Sequence, residues 1–271
     1  MKKMAGKVRD PIVGWLLSGA CRSLLLRDTF SGRMGSQLNG FSLQQERFLL
    51  SSGGRSLSAV YVSGGEGSPV FLICHGIGER VEYWSGVQRL LRELGISSLA
   101  FNYTGFGASR GRVRVAHCEE DVIAAWEHLL GIDSKDIFLV GFSLGTGIAA
   151  ATAHHLRDVQ PKGIVLCEGF SSLREAALAA GLPRWLTSVA ADTWSTEMTI
   201  CDLKVPVLVV HSDGDSLFPL SMAQRVADAC GDRGEMMIVK GLEHNEPIFL
   251  APESYWGPIA EWAKRVCSKN D

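Results

Sequence analysis

The sequence lacks the features that mark several classes of protein. Its 271 residues contain no CxxC pair, no internal repeat, no low-complexity tract and no three-residue glycine period. Without a CxxC pair, zinc sites and dithiol redox motifs have no support. The 27 basic and 29 acidic side chains give a net charge of -2. We therefore expect no strong electrostatic attraction to nucleic acid or to an anionic membrane, and no nucleic-acid partner.

Long hydrophobic runs are also scarce near the N-terminus. The apolar stretch over residues 11–26 is interrupted by Arg22, and it is shorter than the roughly 20 residues that span a membrane. Apolar residues recur in it every four positions, which predicts a helix packed on the domain. The alternative is peripheral membrane contact through residues 11–26. Glycine and serine are dense over residues 31–40, so residues 1–40 are expected to form a helix and linker.

What is present is an ordinary globular composition, 46% apolar and 21% charged, which suffices to bury a full core. The seven cysteines are odd in number and widely spaced, and Cys74 and Cys167 lie in apolar runs. This usage indicates reduced thiols in a reducing compartment. We therefore expect a cytoplasmic protein, with membrane association through its N-terminal helix as the alternative.

Short apolar runs alternate with helical patterns beyond residue 41. Strands are predicted at 47–50, 57–62, 70–74, 96–101, 137–140, 163–167, 206–210 and 236–239, and helices at 83–94, 119–130, 144–156, 220–229 and 255–266. This alternation predicts an α/β fold, a mostly parallel, doubly wound sheet with helices on both faces. We expect residues 41–271 to form one domain, with functional groups at the carboxyl ends of its strands.

A Gly-x-Ser-x-Gly motif stands at one of these strand ends. Gly141, Ser143 and Gly145 follow an apolar strand and precede an alanine-rich helix, the context that a nucleophile elbow requires. Ser143 is therefore the candidate nucleophile. The N–H of Leu144 and the N-terminus of the following helix would face a developing oxyanion.

A serine nucleophile needs a base and an acid, which in this architecture follow it in the chain. His244 comes after the last strand and is the candidate base. Asp215 lies deep in the loop after strand 206–210 and is the preferred acid, whereas Asp213 is expected to brace the turn. Glu168, directly after strand 163–167, is a third candidate for the acid or a polar group near the site.

A second oxyanion donor is expected after strand 70–74. The sequence there runs His75-Gly76-Ile77-Gly78-Glu79. Gly76 lets the backbone bend toward the site, and the N–H of Ile77 would join that of Leu144. His75 is interpreted as a structural residue of this loop.

With these residues in place, the chain resembles the α/β-hydrolase superfamily, and within it the monoacylglycerol-lipase-like and serine-aminopeptidase-like hydrolases. The resemblance covers roughly residues 45–268. It rests on four segments: residues 75–79, 101–111, 211–219 and 241–244. Asn102 stands where the family usually has Asp. The resemblance implies acyl transfer to water by Ser143, His244 and Asp215, with no metal and no organic cofactor.

The segment over residues 170–203 is longer than one crossover helix and predicts a small helical cap. Trp185, Trp194 and Glu168 are its candidate substrate-binding residues, and an apolar acyl ester is the expected small-molecule partner. The leading hypothesis is an esterase for a small or medium acyl group or a monoacyl lipid. A thioesterase, an aminopeptidase that uses Glu79 or Glu168 to bind the substrate amine, and a non-enzymatic receptor are the alternatives.

Overall fold

The computed structural model describes Leu17 and residues 45–132, 134, 136–156, 159–187 and 193–269. Apart from Leu17, the predicted N-terminal helix and the linker lie outside the described residues. The membrane contact proposed for residues 11–26 therefore stays a prediction. Within the described ranges, no helix is both long enough and apolar enough to cross a bilayer.

The apolar runs form one eight-stranded sheet in the described part of the chain. The spatial order is β1-β2-β4-β3-β5-β6-β7-β8. The strands are β1 Gln45–Ser52, β2 Arg55–Val62, β3 Val70–Cys74, β4 Ser97–Phe101, β5 Ile137–Phe142, β6 Gly163–Cys167, β7 Val207–Ser212 and β8 Gly234–Val239. Only the β1–β2 and β2–β4 pairs are antiparallel, and all other neighbours are parallel. The predicted mostly parallel sheet is confirmed.

The first two strands form a tight hairpin because two glycines connect them. Gly53 and Gly54 have φ values of 51° and 79°, the left-handed conformation that a two-residue hairpin turn demands at both positions. Strands β3, β5 and β6 are buried along their whole length. This burial explains why their sequences are continuous apolar runs rather than alternating ones.

Helices cover both faces of the sheet, as the fold prediction requires. They are α1 Ser85–Glu93, α2 Val115–Gly131, α3 Leu144–His155, α4 Leu173–Ala179, α5 Arg184–Thr187, α6 Thr196–Cys201, α7 Leu220–Cys230, α8 Glu246–Phe249 and α9 Glu253–Ser268. Helices α2, α3 and α7 enclose one apolar core. Helices α1 and α9 enclose the other on the opposite face. Helix α2 begins four residues before its predicted start.

The segment between β6 and β7 carries the short helices α4, α5 and α6. Helix α6 packs against α3 and α7. Arg225 links this segment to α7. Its guanidinium group contacts Ser171, Glu175 and Glu197. Helices α4 and α6 of the predicted cap are therefore held against helices that cover the sheet.

Candidate active site

The turn between β5 and α3 holds Ser143 in a strained conformation. Its φ of 50° and ψ of -117° are uncommon for a residue with a side chain. The Ser143 N–H donates to the Cys167 carbonyl at 3.0 Å, and its own carbonyl accepts from Thr146 Oγ1 at 2.7 Å. These two bonds to neighbouring elements hold the strained turn in place.

The motif has glycine at residues 141 and 145 because a side chain at either position would clash with the backbone. A Cβ on Gly145 would lie 1.8 Å from the Cys74 carbonyl oxygen, and one on Gly141 would lie 2.6 Å from the Gly145 oxygen. Because real side-chain carbons never approach so closely, only glycine allows α3 to start this near β3 and β5.

The structure brings Ser143, His244 and Asp215 into one hydrogen-bonded line. His244 Nε2 lies 2.9 Å from Ser143 Oγ, and His244 Nδ1 lies 2.7 Å from Asp215 Oδ2. Ser143 and His244 are only 4% and 8% exposed. Phe218 packs edge-on against the imidazole, with ring centroids 5.1 Å apart. The order of the line is hydroxyl group, imidazole and carboxylate, with each heavy-atom distance within hydrogen-bonding range.

Asp215 is kept ionised by its surroundings. Burial alone would raise the pKa of its carboxyl group, but hydrogen bonds from His244 and from the N–H groups of Phe218 and Leu217 hold the pKa below its ordinary value. The two backbone donors lie 2.7 and 3.0 Å from Oδ1. Asp213 instead accepts from the Gly241 N–H at 2.8 Å and so links the acid loop to the loop that carries His244.

The loop after β3 lies beside Ser143 and carries Ile77, whose N–H is a candidate oxyanion donor. His75 Nδ1 lies 2.8 Å from the Gly76 carbonyl oxygen and must donate to it. No peptide bond in the described residues is cis, so the Ile77 N–H points away from that carbonyl. A Cβ on Gly76 would lie 3.1 Å from Ser143 Cβ. Burial lowers the pKa of His75 to about 4, which keeps this histidine neutral and structural.

The N–H of Leu144 is the second candidate oxyanion donor. Leu144 opens helix α3, and the first N–H groups of a helix have no acceptor within it. The positive end of the α3 dipole therefore lies at the Ser143 turn, where negative charge is favoured.

Glu79 lies beneath the same loop rather than at an open surface. Its carboxyl group is buried, accepts from Trp84 Nε1 at 2.9 Å and contacts Gly76. Burial raises the pKa of Glu79 to about 8. An un-ionised, buried carboxyl group is poorly suited to bind a substrate ammonium group.

Glu168 is fully buried at the end of β6, with a φ of 46°. Its carboxyl group accepts from the Ser212 N–H and from Tyr255 Oη. The carboxyl group faces His211 of β7, whose ring also lies beside Asp215. The sequence signal for this placement is the position of Glu168 directly after β6, which also made it a candidate acid. Its assignment to substrate binding stays a prediction.

The two tryptophans lie in different environments. The Trp194 side chain is 5% exposed, packs over Gly147 of α3 and donates to Glu119 of α2 at 2.8 Å. Trp185, on α5, is 75% exposed. These placements give Trp194 a packing role, and substrate binding by either tryptophan stays a prediction.

Sequence reasoning missed His211 as a site residue. Its ring is fully buried, with Nδ1 3.6 Å from Glu168 Oε2 and Nε2 3.8 Å from Asp215 Oδ2. Glu168, His211 and Asp215 carry metal-ligand atoms within 4.8 Å of one another. The carboxyl oxygens already accept hydrogen bonds from five donors, which leaves them little capacity for a cation. The cluster forms because β6 pairs with β7, which brings Glu168 beside His211. The sequence alone does not show this pairing.

Comparisons with known proteins show which families and chains this sequence resembles. The family model described as serine aminopeptidase, S33, matches residues 66–199. An uncharacterized protein of Mycobacterium tuberculosis is 32% identical over 197 residues, which cover 70% of this chain and 67% of that protein. The lysophosphatidylserine lipase ABHD12 of Danio rerio is 25% identical over 178 residues, 59% of this chain and 47% of the lipase.

A solved esterase from Pyrococcus furiosus has the same fold. It superposes with a TM-score of 0.67 at 20% identity, covering 83% of this chain and 92% of the esterase. The sheet order and the strand–turn–helix at Ser143 are those of an α/β-hydrolase fold. The chain belongs to the α/β-hydrolase superfamily and is similar to its serine aminopeptidase family. It is a hydrolase.

Proposed function

We propose that this hydrolase cleaves carboxylic esters of a small or medium acyl group, or of a monoacyl lipid, with Ser143 as nucleophile. The observation that carries the proposal is the line of contacts from Ser143 Oγ through His244 to Asp215, 2.9 and 2.7 Å long. A serine placed on a strained turn and bonded to an oriented imidazole is the arrangement that activates a hydroxyl group.

In the first half of the reaction, Ser143 Oγ attacks the ester carbonyl carbon and His244 Nε2 takes the hydroxyl proton. The N–H groups of Ile77 and Leu144 stabilise the negative charge that forms on the carbonyl oxygen. Asp215 accepts the Nδ1–H of His244 and stabilises the imidazolium. The C–O bond then breaks, and the alcohol leaves with the proton from His244, so that an acyl-serine ester remains.

In the second half, water attacks the acyl carbonyl carbon while His244 takes one of its protons. The tetrahedral intermediate collapses, Ser143 Oγ regains its proton from His244, and the carboxylic acid leaves. Every proton that His244 takes is returned. The chain's own residues therefore suffice to balance both halves of the reaction.

The surroundings of the catalytic line favour an apolar acyl group. Phe218 contacts the His244 ring, and Phe170 packs edge-on against Phe218 with centroids 5.8 Å apart. The carboxyl groups of Glu79 and Glu168 are buried and hydrogen-bonded, which argues against their use as an ammonium-binding pair. Similarity to a lysophosphatidylserine lipase supports a monoacyl lipid as one substrate class.

The first test is labelling with a fluorophosphonate probe, followed by hydrolysis of nitrophenyl esters of increasing acyl length. We expect labelling and hydrolysis by the wild type and neither by Ser143→Ala. Ser63→Ala is the matched control, since Ser63 lies directly after β2 and its hydroxyl oxygen accepts a local hydrogen bond from the Gly65 N–H. Hydrolysis that persists in Ser143→Ala would refute the mechanism.

The same preparation separates the alternative functions. Faster cleavage of acyl thioesters than of oxoesters would favour a thioesterase, and cleavage of aminoacyl anilides would favour a peptidase. A folded wild type that takes up no probe would favour a receptor on this fold.

A further inference from the structure

A second cluster of buried titratable groups lies behind the catalytic line. Glu168 directly follows β6, His211 lies in β7, and Tyr255 lies in α9, so the cluster joins three parts of the fold. Glu168 accepts from the Ser212 N–H at 3.0 to 3.1 Å and from Tyr255 Oη at 2.9 Å. The strained φ of 46° at Glu168 is maintained by these contacts, since a non-glycine residue seldom adopts it.

The hydrogen bonds of His211 define which ring nitrogen carries a proton. Nε2 lies 3.0 Å from the Phe218 carbonyl oxygen. Because a carbonyl only accepts, Nε2 must donate. In the neutral ring, Nδ1 is then an acceptor, and it is buried without a hydrogen-bond partner in the described structure.

The Glu168 carboxyl group, which faces this acceptor, is itself only an acceptor when ionised. Glu168 Oε2 lies 3.6 Å from His211 Nδ1, so a carboxylate and a ring lone pair would face each other in a buried site. One added proton removes this conflict, whether it sits on the carboxyl group or on the ring. In both arrangements the Glu168–His211 pair has no net charge.

We propose that Glu168 and His211 hold one proton between them and act as positioning residues for Asp215. The pair fixes the carbonyl of Phe218, whose N–H binds Asp215, and the N–H of Ser212 at the start of the acid loop. Of Glu168, His211 and Asp215, Asp215 then carries the net charge. The proposal rests on the proposed function, since it assigns these residues to the same reaction.

The remaining titratable groups around Glu168 do not supply this proton at neutral pH. Burial raises the pKa of Tyr255 well above its ordinary value and raises that of Cys167 as well, while the pKa of Asp215 is held low. Burial raises the pKa of Glu168 itself to about 8 and lowers that of His211. His244 faces His211 from the catalytic line. Loss of the shared proton is therefore expected near pH 8.

The first experiment needs no substrate. The side-chain nitrogens of His211 are followed by NMR from neutral to alkaline pH in the wild type and in Glu168→Gln, and assigned with His211→Gln. We expect an alkaline transition at His211 in the wild type and none in Glu168→Gln, because the amide cannot ionise. The same transition in both proteins, or none in the wild type, would overturn the proposal.

The second experiment follows kcat against pH in a Glu79→Gln background, because Glu79 also has a pKa near 8. Glu168→Gln offers an oxygen to Ser212 and Tyr255 and an N–H to His211. We expect it to keep kcat within about threefold at pH 7 and to remove an alkaline fall, whereas Glu168→Ala loses about tenfold or more. Glu261→Gln, which alters an exposed carboxylate of α9, should keep the wild-type profile.

If Glu168→Gln and Glu168→Ala lower kcat equally at every pH, the side chain only supports the fold and the proposal is wrong. Failure of the proposed function gives a different pattern. Ser143 would then not react with the fluorophosphonate probe in any variant, while the His211 titration would remain readable.

Discussion

The buried carboxyl group of Glu79 makes the stability of this protein depend on pH, and Glu79→Gln tests that dependence. Glu79 is 7% exposed and accepts a hydrogen bond from the Trp84 indole. Burial raises its pKa from the ordinary 4.5 to about 8. A glutamine of the same shape keeps an oxygen for Trp84 but has no proton to lose.

The sign of this pH dependence follows from the protons that the folded and unfolded chains bind. Between pH 4.5 and 8 the unfolded chain has released the Glu79 proton while the folded chain still binds it. Stability therefore falls as the pH rises through this window. One pKa unit corresponds to about 1.4 kcal/mol, so the loss from pH 5 to pH 8 is up to about 4 kcal/mol. Glu168, whose pKa is also about 8, adds a similar slope that Glu79→Gln leaves in place.

Equilibrium unfolding by urea at a series of pH values measures this effect. Near pH 5 the wild type and Glu79→Gln should have similar free energies of unfolding, and by pH 8 the variant should be the more stable by several kcal/mol. Glu93→Gln, an exposed carboxylate on α1, is the matched control and should follow the wild type. If Glu79→Gln is the less stable protein at pH 8, the ionised carboxylate stabilises the fold and the reasoning is wrong.

Three further predictions concern the site and its supports. Asp215→Asn should lower kcat by about 10³- to 10⁴-fold, because an amide cannot stabilise the imidazolium of His244 as a carboxylate does. Steady-state kinetics on a nitrophenyl ester measure this effect, and near-normal turnover would show that Asp215 is not the catalytic acid. Gly145→Ala should prevent folding, since its Cβ would lie 1.8 Å from the Cys74 oxygen, whereas Gly257→Ala in α9, with 3.6 Å of clearance, should be tolerated; circular dichroism and soluble yield compare the two. Trp194→Phe should cost about 1–2 kcal/mol of stability through the lost bond to Glu119 and change kcat little; a large loss of kcat in a stable protein would instead support its predicted contact with substrate.

The sheet and the contacts from Ser143 through His244 to Asp215 were predictable because each depends on local sequence. A parallel strand buried on both faces must be an apolar run, and a polar residue directly after it lies at the functional edge. Ser143 directly follows such a run, and His244 lies in the loop after β8, the partly exposed edge strand. Their 2.9 Å contact is then the consequence of parallel pairing between β5, β6, β7 and β8.

The packing of the segment between β6 and β7 was not predictable in the same way. Its apolar residues indicated a cap, but no local pattern shows that Trp194 contacts α2 and α3. The indole finds Glu119, 75 positions earlier in the chain, and Gly147 leaves the space for it. Pairings at such separations depend on how the helices cross, which the sequence of either partner does not encode.

The choice between acidic residues shows where sequence reasoning ends. Asp215 and Glu168 both follow strands at the functional edge, and two buried carboxylates this close do not both ionise readily. The two residues differ in the hydrogen-bond donors that contact their carboxyl groups. Asp215 receives two backbone N–H bonds and the imidazole, which favour its charged form, whereas Glu168 faces the unpartnered nitrogen of His211, which favours a shared proton. The residue that carries the charge is therefore decided by backbone N–H groups of the acid loop, and no pattern of side chains in the sequence reports where those groups point.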